Sequence, residues 1–464
     1  MVNADRKTLD KAISSAHAAQ DAWDRAGGKH RAALISKAAD LYEDHAPELL
    51  ALLVAEAGKS LDNAVADLRE AVDFLRYYAA RAAEEFDTPT VLPGPTGERN
   101  MIRMHGRGVF ACISPWNFPL AIFTGQVSAA LGAGNTVIAK PAEQTPLVAF
   151  RAVQLMHEAG IPGKVLHLLP GDGENVGAPL IADPRIAGVA FTGSNATANR
   201  IQRTLAEKSG PIVPLIAETG GINAMIVDST ALPEQVIRDV VRSAFDSAGQ
   251  RCSALRVLCV QDDVAPKVIE MLKGAMAELA NGNPWEYATD VGPVIDEEAR
   301  AMLEDYKADA RKRFKVIAEN ELPEAAANGT FVAPGAYEVK AFGDVEREVF
   351  GPVLHVLRFK SGKLAELIDA INASGYGLTL GVHTRIEERA EMVCDRARVG
   401  NVYVNRNQIG AIVGVQPFGG EGLSGTGPKA GGPHYMHRFA TERVVSVDTT
   451  ASGGNAALMS LGAE

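Results

Sequence analysis

Cysteine is scarce in this chain: four among 464 residues, at positions 112, 252, 259 and 394. No two of them form a CxxC pair and no histidine stands at zinc-ligand spacing, so neither a disulfide framework nor a structural metal is expected. A chain of this length buries enough surface to need no such staple, and a reducing cytoplasm is the expected compartment. Long apolar runs are lacking as well. Nowhere do about 18 uncharged apolar residues follow one another, the minimum for a membrane-spanning helix. The opening MVNADRKTLDKAISSAHAAQDAW reads as a charged amphipathic helix without an apolar centre or a small-residue cleavage site, so no signal peptide is expected. Basic charge has no surplus: 46 Lys and Arg are interleaved with 57 Asp and Glu, for a net charge of -11. Nucleic-acid binding needs a basic stripe and an anionic membrane needs a polybasic patch; neither is present. Internal repeats and low-complexity tracts are absent too.

What remains is ordinary for a soluble enzyme, with 47% hydrophobic and 22% charged residues and room for two or three domains. Residues 4–86 repeat apolar positions at intervals of three and four, as helices do. The prolines of PTVLPGPTGERN (89–100) then break that pattern. From residue 108 short apolar runs alternate with helical stretches. The runs are GVFACI (108–113), NTVIAK (135–140), KVLHLLPG (164–171), AGVAFTGS (187–194) and PIVPLIAETGG (211–221). Strand and helix in alternation predict an α/β fold with a doubly wound parallel sheet. Ligands in such sheets sit at the C-terminal strand ends, which here means the loops SPWNFP, KPAEQTP, PGDGENVG and FTGSNATAN. A second α/β series follows Glu218, through NAMIVDS, LRVLCVQ, HVLRF, LTLGVHT and NVYVNR. From Gly410 a glycine-dense stretch reads as a wrapped loop, and ERVVSVDTT as a last strand.

Seven short stretches stand at strand ends or in loops: PWNFP (115–119), KPAEQTP (140–146), FTGS (191–194), ETGG (218–221), GQRCS (249–253), EVFGP (348–352) and PFGG (417–420). In this order they resemble the aldehyde dehydrogenase superfamily along nearly the whole chain. The resemblance implies a Rossmann-like NAD-binding domain over 1–217 with a helical N-terminal part, an α/β catalytic domain over 218–409, and a substrate-anchor and oligomerisation segment over 410–464. It also implies a homodimer.

On its own, a cysteine ahead of a strand is more often a small buried side chain than a nucleophile. In this company Cys252 matches the nucleophile, its thiolate favoured by nearby N–H groups and by Arg251. Asn117 matches the oxyanion-hole amide, acting beside the backbone N–H of Cys252. Glu218 matches the general base that activates water against the thioester. Cys112, Cys259 and Cys394 are expected to be structural.

For the cofactor, Lys140 and Glu143 match the clamp on the adenosine ribose. A carboxylate at that point would repel a 2′-phosphate, so NAD is expected rather than NADP. Gly173, Gly193 and Ser194 lie in the loops that would meet the dinucleotide, Ser194 at a helix N-terminus suited to a pyrophosphate. Glu348 matches the holder of the nicotinamide ribose, with Phe350 packed beside it. No GxGxxG fingerprint is required by this superfamily.

The stretches GQRCSALRVL, YVNRNQIGAIVGVQPFGGEGLSGTGPKAGGPHY and VDTTASGGNAALMSL are similar to the L-glutamate γ-semialdehyde dehydrogenase group, the C-terminal enzyme of proline utilization A. This resemblance implies that Ser253 and the N–H groups of Gly410 and Ala411 read the substrate α-carboxylate, while Phe118 and Phe418 sandwich its aliphatic chain. Three departures accompany it. GSNATA (193–198) replaces the usual GSTxxG, Ile222 stands where relatives often carry a polar residue, and the N-terminal strands and an upstream proline dehydrogenase domain are expected to be missing. Alternative functions are a dehydrogenase for another semialdehyde, such as succinate semialdehyde, and a truncated assembly module without activity.

Overall fold

The computed structural model describes residues 2–94 and 98–448. The helical opening resolves into α1 (Arg6–Arg25), α2 (Gly28–Asp44), α3 (Ala46–Ala57) and α4 (Leu61–Glu85). The proline-rich stretch that follows contributes strand β1 (Thr90–Leu92), paired antiparallel to β2 (Arg99–Gly106). A break was expected there, because three prolines mask a strand that needs only three ladder residues.

The first parallel sheet follows in strict alternation: β3 (Val109–Ile113), α5 (Ala121–Gly132), β4 (Thr136–Lys140), α6 (Pro146–Glu158), β5 (Leu166–Leu168), α7 (Ala178–Ala182), β6 (Ile186–Thr192), α8 (Asn195–Glu207) and β7 (Leu215–Glu218). Its strand order is β5-β4-β3-β6-β7, all parallel. Every residue of β4 is buried, as expected where helices cover both faces of a parallel sheet. The order reverses between β3 and β6, and a crevice opens above their C-terminal ends.

The second unit comprises β8 (Ala224–Val227), α9 (Pro233–Phe245), β9 (Val257–Gln261), α10 (Ala265–Ala277), α11 (Glu297–Arg313), β10 (Lys315–Glu319), β11 (Gly335–Val339), β12 (Val353–Phe359), α12 (Leu364–Ala373), β13 (Tyr376–Gly377), β14 (Thr379–His383), α13 (Glu387–Arg396) and β15 (Asn401–Val404). Seven of its strands form one sheet in the order β10-β11-β12-β9-β8-β14-β15, parallel except for β10. Cys259 is buried inside β9 and Cys112 inside β3, whereas Cys394 is exposed on α13.

The chain then returns to the first unit. β16 (Glu421–Gly422) pairs with β13, and β17 (Ala440–Val447) runs antiparallel along all of β2. Phe439 packs on Phe110 of β3 at 4.8 Å between ring centroids, and Tyr435 stacks on Tyr78 of α4 at 5.9 Å. Tyr435, Met436, Phe439 and Ala440 therefore belong to the core around the first sheet. Residues 449–464, the end of the expected oligomerisation segment, lie outside the described residues. Among the described residues, no helix is long and apolar enough to cross a membrane.

Candidate active site

Cys252 follows α9 through an abrupt turn. Ser247, Ala248 and Gly249 all have positive φ, at 58°, 53° and 67°. Left-handed backbone costs a non-glycine residue about 1–2 kcal/mol, so the surroundings must hold the turn in place. Gln250 does part of this: its Nε2 donates to the Ser247 carbonyl at 3.2 Å, and its Oε1 accepts from Ile295 N–H at 2.9 Å. Arg256, 1% exposed, does more. Its guanidinium donates to the carbonyls of Gly249 at 2.8 Å, Gly351 at 3.2 Å and Arg251 at 3.0 Å. Gly249 admits no side chain, since a Cβ there would lie 2.1 Å from the Gly351 carbonyl oxygen. Asn223 completes the cradle by donating to the carbonyls of Cys252 at 2.6 Å and Ala254 at 2.9 Å. Neither Arg256 nor Asn223 is legible as a site residue in the sequence, because each acts on backbone atoms brought close only by folding.

Three polar groups face this turn. Asn117, 8% exposed in the loop after β3, donates through Nδ2 to the Gln250 carbonyl at 3.1 Å. Glu348 meets Arg256 at 3.4 Å. It also lies so close to Gly220 that a Cβ there would stand 1.7 Å from its Oε2. Burial raises the Glu348 carboxyl above its usual range. Glu218, at the end of β7, accepts the Gly420 N–H at 3.1 Å, and its Oε1 has no partner. Burial pushes its pKa up to about 8, against a smaller pull from Lys429.

The thiol itself is pushed up to about 12, first by burial and then by the negative charges of Glu348, Glu218 and Glu70. This corrects the expected role of Arg251. Its guanidinium points away to Asp246, 3.0 Å from Oδ2, and to Asn63, and it lies over the Phe118 ring at 5.3 Å. Cys252 therefore has acids for neighbours, and its proton must go to one of them or to water before it can attack.

A cavity of about 100 Å³ opens beside Cys252 and Glu218. Phe118, Phe418, Ser253 and Ala411 line it. Gly410 stands just outside, its carbonyl accepting from Arg406. Among the lining residues that the sequence reading missed is an acid, Glu70 of α4, whose pKa burial raises to about 7. Its signal was present, since Asn63, Asp67, Glu70 and Phe74 recur at helical spacing along one face. Polar residues at core positions of an amphipathic helix mark a site as readily as apolar ones mark a core.

The dinucleotide candidates gather above the first sheet. Lys140 at the end of β4 is 4% exposed and lies 3.7 Å from the half-exposed Glu143. Gly173 opens a single π-helical turn after β5. Ser194 caps α8, its side chain accepting the Thr197 N–H at 3.2 Å. At Gly193 a Cβ would meet the Phe191 ring at 2.7 Å. Asn195, the departure from GSTxxG, donates to the Leu423 carbonyl at 2.7 Å and so ties α8 to the glycine-rich loop. Phe350 meets Trp116 edge-on at 5.4 Å, beside the asparagine loop. A helix N-terminus after β6, and a lysine with little solvation and an accessible carboxylate after β4, stand on either side of β3 and fit a dinucleotide.

A family model described as the aldehyde dehydrogenase family matches residues 1–445. The chain belongs to the aldehyde dehydrogenase family. Among curated relatives it is 55% identical over 443 residues to the bifunctional protein PutA of Salmonella typhimurium, covering 94% of this chain and 33% of that protein. It is 37% identical over 456 residues to the 1-pyrroline-5-carboxylate dehydrogenase of Anoxybacillus flavithermus, covering 96% and 87%. Among solved structures, a variant of Bradyrhizobium japonicum proline utilization A superposes with a TM-score of 0.95 at 56% identity, covering 97% of this chain and 46% of that one. The 1-pyrroline-5-carboxylate dehydrogenase from Thermus with bound NAD gives 0.92 at 36% identity, covering 96% and 86%. The chain thus spans about a third of the length of the PutA relative and most of the length of the single-activity dehydrogenases.

Proposed function

We propose that the chain oxidises L-glutamate γ-semialdehyde to L-glutamate with NAD, the second step of proline catabolism. One observation carries this reading: Cys252 and Glu218 line a cavity whose wall also bears Ser253, Ala411 and the half-buried Glu70, and Asn117 bonds the Gln250 carbonyl two residues before Cys252. The relatives named 1-pyrroline-5-carboxylate dehydrogenase support the substrate.

Cys252 Sγ, on losing its proton, attacks the aldehyde carbon to give a thiohemiacetal. The Asn117 amide exchanges the Gln250 carbonyl for the new oxyanion and donates to it beside the Cys252 N–H. Lys140, Glu143, Ser194 and Glu348 would hold NAD, which when bound would supply the hydride acceptor for oxidation of the adduct. Glu218 then takes a proton from water, the hydroxide displaces sulfur, and glutamate leaves. Phe118 and Phe418 flank the aliphatic chain, Ser253 with the N–H groups of Gly410 and Ala411 receives the α-carboxylate, and Glu70 faces the α-ammonium. That last contact separates this substrate from succinate semialdehyde, which carries no ammonium.

The test is NADH formation with L-glutamate γ-semialdehyde by the native chain and by Cys252→Ala. A silent native chain that still binds NAD would end the catalytic reading, and a fully active Cys252→Ala would end the assignment of the nucleophile. A cytoplasmic homodimer is part of the same reading. Free cysteines among the described residues support the compartment, and Val444 and Val445, 59% and 41% exposed on β17, support a partner surface. Light scattering measures the assembly.

A further inference from the structure

Behind the cavity wall lies an ion pair that the reaction scheme does not use. Lys59 Nζ stands 3.3 Å from Asp67 Oδ2, with side-chain exposures of 2% and 0%. Such a pair loses both hydration shells, so its presence asks for a reason beyond stability. Each partner also touches the catalytic face from behind. Asp67 Oδ1 accepts the Ala121 N–H at 2.7 Å. That N–H opens α5, whose own N-cap is Leu120, a residue with no side-chain oxygen to offer. A carboxylate borrowed from α4 therefore caps the helix that starts directly after PWNFP, with its charge at the favourable end of the dipole. Lys59 Nζ sits 4.3 Å from the centroid of the Phe118 ring, which lines the cavity. The braced ring and the capped turn both lie within four residues after Asn117.

We propose that the Lys59–Asp67 pair is a positioning device for the oxyanion donor: it fixes the 117–121 segment so that the Asn117 amide stays aimed at Cys252. Neither residue lines the cavity, so neither is a catalytic residue. The inference rests on the reading of Asn117 as oxyanion donor and of Cys252 as nucleophile.

The test compares two reactions of the same thiol in the full chain. Acylation of Cys252 by p-nitrophenyl acetate passes through a tetrahedral oxyanion, expels p-nitrophenolate and leaves an acetyl thioester. Alkylation by iodoacetamide displaces iodide with no oxyanion at all. Peptide mapping reads Cys252 separately from the exposed Cys394. The variant is Lys59→Met with Asp67→Leu, which exchanges both charges for apolar groups of similar size. Acylation is expected to slow between about ten- and a hundred-fold, the usual loss for a misplaced reacting group, while alkylation keeps its rate. Asp67→Asn, which retains an oxygen for Ala121 but not the charge, is expected to show the same selective loss to a smaller degree and serves if the double variant does not fold. Acylation at the native rate, or equal slowing of both reactions, overturns the proposal. A native chain that is not acylated at Cys252 overturns the reading beneath it, and the proposal with it.

Discussion

Glu218→Gln should make the protein more stable and less active at once, and the gain should depend on pH. The folded chain holds this carboxyl at about 8 against an ordinary 4.5. Above about pH 4.5 the unfolded chain gives up the proton while the folded chain keeps it, so the unfolded state binds fewer protons and stability falls as pH rises. Each pH unit between those two values removes about 1.4 kcal/mol. The penalty therefore reaches about 3 kcal/mol at pH 7 and levels off near about 5 kcal/mol above pH 8. Glutamine cannot ionise, keeps an oxygen for the Gly420 N–H, and loses about 1–3 kcal/mol for an amide hydrogen without a partner. Urea unfolding of both proteins from pH 5 to pH 9 measures the difference. The Gln variant should gain on the native chain by about 1.4 kcal/mol per unit up to pH 8, then run parallel to it. Two curves that stay parallel from pH 5, or a native chain that gains on the variant, would refute a carboxyl kept neutral by burial. The same titration appears in catalysis: thioester hydrolysis by the native chain should rise through about pH 8, as the base ionises, and be lost in the variant.

Other expectations follow from single contacts. Asn117→Ala should slow acylation of Cys252 by about 10²–10³, read as the pre-steady-state burst. Glu70→Gln should raise KM for L-glutamate γ-semialdehyde and leave kcat/KM for succinate semialdehyde little changed, a contrast that parallel kinetics will show. Gly249→Ala places a Cβ 2.1 Å from a backbone oxygen at φ 67°, where neither chain can yield. Thermal unfolding should show a loss of about 2–4 kcal/mol, and alkylation of Cys252 should change rate as its cradle shifts. Glu143→Ala should narrow the preference for NAD over NADP, measured as the ratio of the two dissociation constants.

The strand ends were the legible part of this protein. Buried parallel strands read as short apolar runs, and the loops after them carry the groups that face a ligand, so FTGS and ETGG stood at strand ends in the sequence, whereas GQRCS, between α9 and β9, was singled out by the family resemblance. Less was visible where burial is incomplete. The edge strand β10, KVIAE, mixes charge with apolar residues, and no continuous run announces it. β2 could be read only once β17, more than 330 residues later in the chain, lay beside it.

Charge was the least legible property. Arg251 stands next to Cys252 in sequence, and proximity suggested that it lowers the thiol pKa. Folding turned it to Asp246 and Asn63, 188 residues away. In its place folding brought three acids, Glu348, Glu218 and Glu70, to the sulfur. Residue types and local spacing determine which elements form and which groups stand at their ends, because those depend on neighbours within a few residues. Which charges meet across the cleft, how dry each one is and where its proton stays are set by long-range packing, and only the tertiary structure decides them.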